Sequence, residues 1–311
     1  MKLLMLGAGG VGGYFGARLH EGGADVTFLV RPKRAAILRE RGLRIYGVRG
    51  ELVIKEPKLL VSGESGQHQF DAVIVSCKAY DLDSSIDAIR PYVGPTTLIL
   101  PLLNGLKHLD TLDDAFGAQR VLGGLAQVST TIDASGDIKQ FTDTQALAYG
   151  ARSEAQQLGV EALDRALKLG NFDARLSRNI MLEMWEKFVL LTSLAAMTCL
   201  MRANVGEIAA TQEGAGLMSG TLDDCAATAA AAGFAPRGKY LDNVRALLTQ
   251  KGSVLEASMR RDMEGGGQTE ADHIVGDMLK RALAANVHAT TLRAAYCHLQ
   301  AYEARRKAVS G

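Results

Sequence analysis

Hydrophobic and polar positions follow two rhythms along this chain, and the change between them falls near residue 177. In the first part, short apolar runs are bounded by turn residues: Leu3–Leu6, Asp25–Val30, Asp71–Ser76 and Thr97–Leu102. Runs of this length, interleaved with helical stretches such as 14–20 and 82–92, predict parallel strands buried on both faces. Residues 43–61 instead alternate polar and apolar around Gly47 and Gly50, the pattern of a small antiparallel excursion. Between Val121 and Gly150 the runs are rich in Val, Thr, Gln and Gly, with a turn at 134–137, which predicts antiparallel strands extending the same sheet. A helix over Glu154–Leu169 and a last short strand over Asn171–Arg175 complete this part. Beyond Ser177 the period is helical, with helices predicted at 178–201, 213–233, 237–249, 269–285 and 290–307, broken at Gly233–Pro236 and Gly265–Gly267. The pattern predicts an α/β N-terminal domain over 1–177 and an all-α C-terminal domain over 178–311.

Composition narrows the class without changing that outline. The 311 residues suffice for two domains with proper cores. With 47% hydrophobic and 22% charged residues, the chain reads as an ordinary soluble globular protein. A net charge of +1, from 35 basic and 34 acidic residues, gives no electrostatic reason to expect a nucleic-acid or membrane partner. Cys77, Cys199, Cys225 and Cys297 show neither C-x-x-C nor zinc-type spacing, so unbridged thiols in a reducing cytoplasm are expected. A strand beginning at residue 2 leaves no room for a cleavable leader, and the uncharged run Phe188–Met201 falls short of the ~20 residues of a spanning helix. The expected location is cytoplasmic. Apolar faces on the C-terminal helices would serve a homodimer or simply fill a core.

Candidate chemistry begins at the end of the first strand. Gly7, Gly9 and Gly12 fill the G-x-G-x-x-G spacing, so the turn Gly7, Ala8, Gly9, Gly10, Val11, Gly12 is expected to cradle a dinucleotide. Gly7 permits the tight turn, Gly9 lets the main chain approach a pyrophosphate, and Gly12 allows helix to pack on strand. At the end of the second strand, where an acidic residue would hold the ribose 2′-hydroxyl of NAD, stands Arg31, followed by Lys33 and Arg34. A guanidinium suits a 2′-phosphate, so the expected cofactor is NADP(H). The two later parallel strands end in Lys78-Ala-Tyr80 and Asn104-Gly105, which a doubly wound sheet would present on the cofactor side. Lys187 heads a strongly apolar helical run, where desolvation would lower its pKa and make it usable as a proton donor, although a snorkelling lysine is the commoner case. Other signals are weaker. Glu270-Ala-Asp-His273 lacks the second pair that a di-iron site needs, so no metal is expected. Met181, Met184, Met197 and Met201 read as core, and no G-x-S-x-G elbow supports a serine hydrolase.

The glycine turn with Arg31, Cys77-Lys-Ala-Tyr80, Leu103-Asn-Gly105, Leu182-Glu-Met-Trp-Glu-Lys187, Ala257-Ser-Met259 with Asp262, and Gln268-Thr-Glu-Ala-Asp272 stand in an order and spacing that resemble the ketopantoate reductases over nearly the whole chain. That family uses NADPH to reduce 2-dehydropantoate to (R)-pantoate on the pathway to coenzyme A. The resemblance implies a Rossmann-type N-terminal domain and a helical catalytic domain, with a small 2-oxo acid as substrate. It implies Lys187 as the general acid and Glu270 as its orienting partner or an acceptor from the product hydroxyl. It further implies Ser258 on the substrate carboxylate, Asn104 on the nicotinamide ribose and the lysine, and Lys78 near the cofactor. In family members that act on ketopantoate, asparagines follow the lysine by four and eight residues. Here Leu191 and Ala195 occupy those places, with Thr192 and Ser193 nearby. The residues therefore leave open a relative reducing a more apolar 2-oxo acid or ketone, and a non-catalytic NADP(H) sensor.

Overall fold

A computed structural model of the chain describes residues 1–64 and 69–310. The chain divides into two compact units: Met1–Leu103 with His108–Ile180, and Asn104–Lys107 with the residues from Met181 onward.

In the N-terminal unit the strands are β1 (Lys2–Leu6), β2 (Asp25–Val30), β3 (Leu43–Gly47), β4 (Gly50–Ile54), β5 (Leu59–Val61), β6 (Ala72–Val75), β7 (Leu98–Pro101), β8 (Gly123–Ile132), β9 (Ile138–Gly150) and β10 (Asp173–Leu176). Five of them form a sheet in the order β5-β2-β1-β6-β7, with every pairing parallel. The apolar runs seen in the sequence are these strands, and Leu3, Leu4, Met5, Val73, Ile74 and Leu100 are wholly buried. Such two-sided burial needs helices on both faces. The intervening helices are α1 (Gly10–Glu21), α2 (Pro32–Arg41), α3 (Leu82–Ile89), α4 (Lys107–Phe116) and α5 (Gln157–Leu167).

The hairpin at β3 and β4 is antiparallel, as the alternation predicts, but β5 leaves it and joins the parallel sheet beside β2. The strands of 121–150 also depart from expectation. Among the described residues their backbone pairs with the parallel sheet only at a bridge from Val121 to Ile99, and they then build a second sheet in the order β10-β9-β3-β4, with β8 pairing β9. The reason lies in β9, which is long enough to take β8 along one edge and β3 and β10 in succession along the other. Ile138 and Tyr149 at its two ends are wholly buried in the same core as Phe15 and Phe28.

The second unit is helical: α6 (Ile180–Met201), α7 (Val205–Ala209), α8 (Gly214–Ala231), α9 (Gly238–Leu248), α10 (Ser258–Glu264), α11 (Asp277–Ala284) and α12 (Thr290–Ser310). The short α7 and α10 are not predicted from periodicity, because five to seven residues carry too few turns to show one. A single π turn, Asp272–Gly276, leads into α11, closed by the Gly276 N–H donating to the Ala271 carbonyl at 2.9 Å. By length and composition α6 is apolar enough to cross a membrane, but 72% of its most apolar window is buried within the protein, as in a core helix.

Candidate active site

The N-terminal unit assembles its candidate residues at the carboxyl ends of β1, β2 and β6. Gly7 leaves β1 at φ +88°, a conformation that favours glycine, while its N–H still donates to the Leu29 carbonyl at 2.9 Å. Gly9 caps α1, which begins at Gly10, earlier than the sequence pattern shows. The other two signature glycines solve opposite problems. A Cβ on Gly12 would stand 2.1 Å from Ser76 Oγ and 2.7 Å from the Gly7 carbonyl oxygen, so α1 lies against β6 with no room for a side chain. A Cβ on Gly9 would meet nothing nearer than Ile132 Cδ1 at 4.0 Å. The space over Gly9 and the unpaired amides at the start of α1 suit an anionic phosphate group.

The basic cluster after β2 splits into different tasks. Arg34 turns back on the protein, donating from Nε to the Ala8 carbonyl at 3.0 Å and from Nη1 to the Gly136 carbonyl at 2.5 Å. Burial holds its pKa below the ordinary value. It braces the glycine turn and ties it to the β8–β9 hairpin. Arg31 is the cap residue of α2 and stays exposed, and its Nη2 pairs with Asp81 Oδ1 at 2.8 Å. Lys78 is exposed one turn earlier, at the start of the short 3-10 turn Ala79–Asp81. Sequence reasoning missed Arg34 as a brace and Asp81 altogether, since the ion pair joins residues 50 positions apart. A groove lined by Lys2, Asp25, Thr27, Lys58 and Phe70 lies at the opposite, amino ends of the strands, away from where such sheets bind nucleotide.

In the helical unit, α6 carries Lys187. Most of this helix is buried, but Glu183, Lys187, Leu190 and Leu191 keep part of their surface open and form one stripe at helical spacing. Desolvation by burial pulls the Lys187 ammonium down from 10.5 to about 8. Its two predecessors fix the helix locally. Trp185 stacks on Phe234 with ring centroids 5.9 Å apart and takes the Arg281 guanidinium over its ring at 5.5 Å. Glu186, buried, accepts from the Arg237 side chain at Nε, 2.8 Å away, and from its backbone N–H at 3.0 Å.

Leu191 sits one turn beyond Lys187 on the open stripe, whereas Ala195 is only 2% exposed. Thr192 and Ser193 are fully buried, and the Ser193 hydroxyl donates back to the Val189 carbonyl at 2.8 Å. Neither hydroxyl reaches the open stripe to take over from an asparagine.

Ser258 is exposed at the first position of α10. The residue before it, Ala257, donates its N–H to Thr198 Oγ1 at 3.4 Å, so α6 itself locates Ser258. Glu270 is nearly buried just ahead of the π turn, and its carbonyl accepts from the N–H groups of His273 and Ile274. His273 then meets the Asn104-Gly105 signature. Its ring hydrogen-bonds to the Asn104 backbone, and a Cβ on Gly105, which stands at φ +80°, would lie 3.1 Å from the ring. Burial lowers the His273 pKa, with Glu270 opposing that shift. Asn104 and Glu270 are thus brought into one local structure through His273, which the sequence suggested only as half of a metal pair. Single-turn π insertions are frequent at functional sites, and here one carries His273, whose ring meets the Asn104 backbone.

Among the described residues no group of three or more His, Cys, Asp or Glu side chains could hold a metal ion. All four thiols are unbridged, and burial pushes those of Cys199 and Cys225 up to about 12, which makes them inert.

Comparison with known proteins places the sequence and the fold in one family. The family model described as ketopantoate reductase PanE/ApbA matches residues 3–154, and its C-terminal counterpart matches residues 179–303. The uncharacterised oxidoreductase YkpB of Bacillus subtilis is 34% identical over 306 residues, covering 98% of this chain and 100% of the relative. A crystal structure of 2-dehydropantoate 2-reductase from Geobacter metallireducens superposes with a TM-score of 0.86 at 25% identity, covering 96% of this chain and 99% of the other. D-mandelate dehydrogenase, solved with NADH and anilino(oxo)acetate, shares the fold with a TM-score of 0.87 at 20% identity, covering 99% of each chain.

Proposed function

The chain belongs to the ketopantoate reductase family, and on that footing we propose that it is an NADPH-dependent reductase converting a 2-oxo acid into a 2-hydroxy acid. One observation carries the reading: a lysine on the open stripe of α6 whose pKa is drawn to about 8. At neutral pH such a group is still charged, yet it gives up its proton far more readily than an ordinary lysine.

The cofactor fits the residues present. The open space over Gly9, the side-chain-free contact of Gly12 and the exposed guanidinium of Arg31 are what a dinucleotide carrying a 2′-phosphate requires. A bound nicotinamide supplies the hydride. The chain's own residues handle the charge this creates. Lys187 donates a proton from Nζ to the carbonyl oxygen and offsets the developing alkoxide, then recovers a proton from solvent. Glu270 aims that ammonium or accepts from the product hydroxyl. Ser258 donates to the substrate carboxylate, Asn104 orients the ribose and the lysine, and Lys78 lies near the cofactor. The amides following Gly9 hold the pyrophosphate.

The first substrate reading is 2-dehydropantoate, which would place the chain in pantothenate biosynthesis. A second is favoured by Leu191, whose open apolar surface one turn from Lys187 suits a 2-oxo acid with a more apolar side chain. NADPH oxidation followed against a panel of 2-oxo acids, ketopantoate included, decides between them. Turnover confined to apolar acids selects the second, and tight NADPH binding without turnover of any acid would make the chain a sensor instead.

A further inference from the structure

The ion pair between Arg31 and Asp81 joins the loops that follow β2 and β6, the two strands on either side of β1. In a doubly wound sheet the adenosine half of a dinucleotide lies over these carboxyl ends. The pair therefore occupies the ground that a 2′-phosphate would claim, and Arg31 already has an anionic partner before any phosphate arrives. Asp81 is well placed to keep that role. Its N–H donates to the Lys78 carbonyl at 2.9 Å, and its carbonyl accepts from Ser84 Oγ at 3.0 Å, so its backbone is fixed where the 3-10 turn meets α3. The guanidinium side chain is 64% exposed and the carboxylate 33%, so the pair is solvent-screened and weak enough to be exchanged.

We propose that Asp81 is a specificity-determining residue that competes with the 2′-phosphate for Arg31 and thereby lowers the preference for NADPH over NADH. A phosphate with a charge of about −1.5 to −2 displaces a single carboxylate, but the displaced carboxylate then stands beside it as a like charge. NADH makes no such demand and leaves the Arg31–Asp81 pair intact. The inference rests on the NADPH reading above, and it adds that the discrimination is weaker than Arg31 alone would give.

The test is a double-mutant cycle in the full-length protein, with dissociation constants for NADPH, NADH and adenosine 2′,5′-bisphosphate measured for wild type, Asp81→Asn, Arg31→Gln and the double variant. Asp81→Asn is expected to tighten NADPH and the bisphosphate by roughly three- to tenfold while leaving NADH within about twofold, as fits removal of a screened pair and a like charge. That gain is expected to vanish in the Arg31→Gln background. Unchanged or weaker NADPH binding in Asp81→Asn, with Arg31→Gln still losing NADPH selectively, would overturn the competitor role and leave the NADPH reading standing. If Arg31→Gln loses no selectivity, the 2′-phosphate reading itself fails, and the role of Asp81 with it.

Discussion

Replacing Lys187 by methionine separates its chemical role from its structural cost. Methionine keeps much of the lysine stem's volume and flexibility and removes the charge. The folded protein holds this ammonium at about 8 against an ordinary 10.5, and at about 1.4 kcal/mol per pKa unit the charged lysine costs at most about 3.5 kcal/mol at pH 7. The sign follows from linkage. The folded-state pKa of this base is depressed, so the penalty is fully present below pH 8 and fades as pH rises toward 10.5, where the unfolded chain also loses the proton. Lys187→Met is therefore expected to be more stable than wild type at pH 7, with the difference closing between pH 8 and 10.5. Trp185, the single tryptophan, lies two residues away on α6 and reports the unfolding of this helix by fluorescence. The same variant should lose about 10²- to 10⁴-fold in turnover, the usual worth of a positioned proton donor. In wild type, ketone reduction should fall as pH rises through about 8, and the reverse oxidation should rise there, because one direction needs the ammonium and the other the amine. A variant that turns over normally, or one that is less stable at pH 7, would refute the reasoning.

Arg31→Asp is expected to weaken NADPH by roughly ten- to a hundredfold, the worth of a charge-assisted hydrogen bond, and to move preference toward NADH; a variant that still strongly favours NADPH in competition kinetics would count against the 2′-phosphate site. Gly12→Ala should destabilise the N-terminal unit by about 1–3 kcal/mol in denaturant, since its methyl would overlap Ser76 Oγ, whereas Gly9→Ala should fold as wild type and lose nucleotide affinity in calorimetry. Equal stability losses at the two glycines would remove the distinction drawn between them. Leu191→Asn should raise kcat/KM for ketopantoate several-fold if the polar substrate is the native one and lacks only this contact, by about 1 kcal/mol for a part-exposed hydrogen bond, and steady-state kinetics on the purified variant will show it.

Four of the five strands of the parallel sheet were readable because their signals are local, whereas β5 reads in sequence as part of the antiparallel excursion. Each of these four is a short apolar run with turn residues at both ends, and Gly7 makes its turn directly where β1 ends, although the side chain that forbids a Cβ on Gly12 is Ser76, far along the chain. The second sheet was not, because alternation tells that 121–150 form antiparallel strands but not which edge they join. That choice is made by β9 meeting β3, nearly a hundred residues earlier in the chain, at Ile138–Gln140. The same limit applies to charge. Arg31, Lys33 and Arg34 look like one basic patch in sequence, but Arg34 binds the carbonyls of Ala8 and Gly136 while Arg31 finds Asp81. Nor does periodicity reveal a π turn, whose one extra residue falls at His273 without altering the apolar pattern of 269–285.

Reaction and substrate also differ in how far local physics constrains them. A lowered lysine pKa needs only that its surroundings be poor in polar groups, and a long apolar helix such as α6 provides this whatever acid is reduced. Substrate grip needs polar atoms at set positions on that same helix, which works against the desolvation. Leu191, half-open and one turn from Lys187, stands on the side of desolvation. An asparagine there would offer a hydrogen bond to a hydroxylated substrate and at the same time ease the burial of the ammonium, so the gain in affinity and an upward move of the pH limb above 8 should appear together in Leu191→Asn. If affinity improves with the limb unmoved, the lysine owes its depressed pKa to other neighbours, and the apolar character of position 191 is a matter of substrate choice alone.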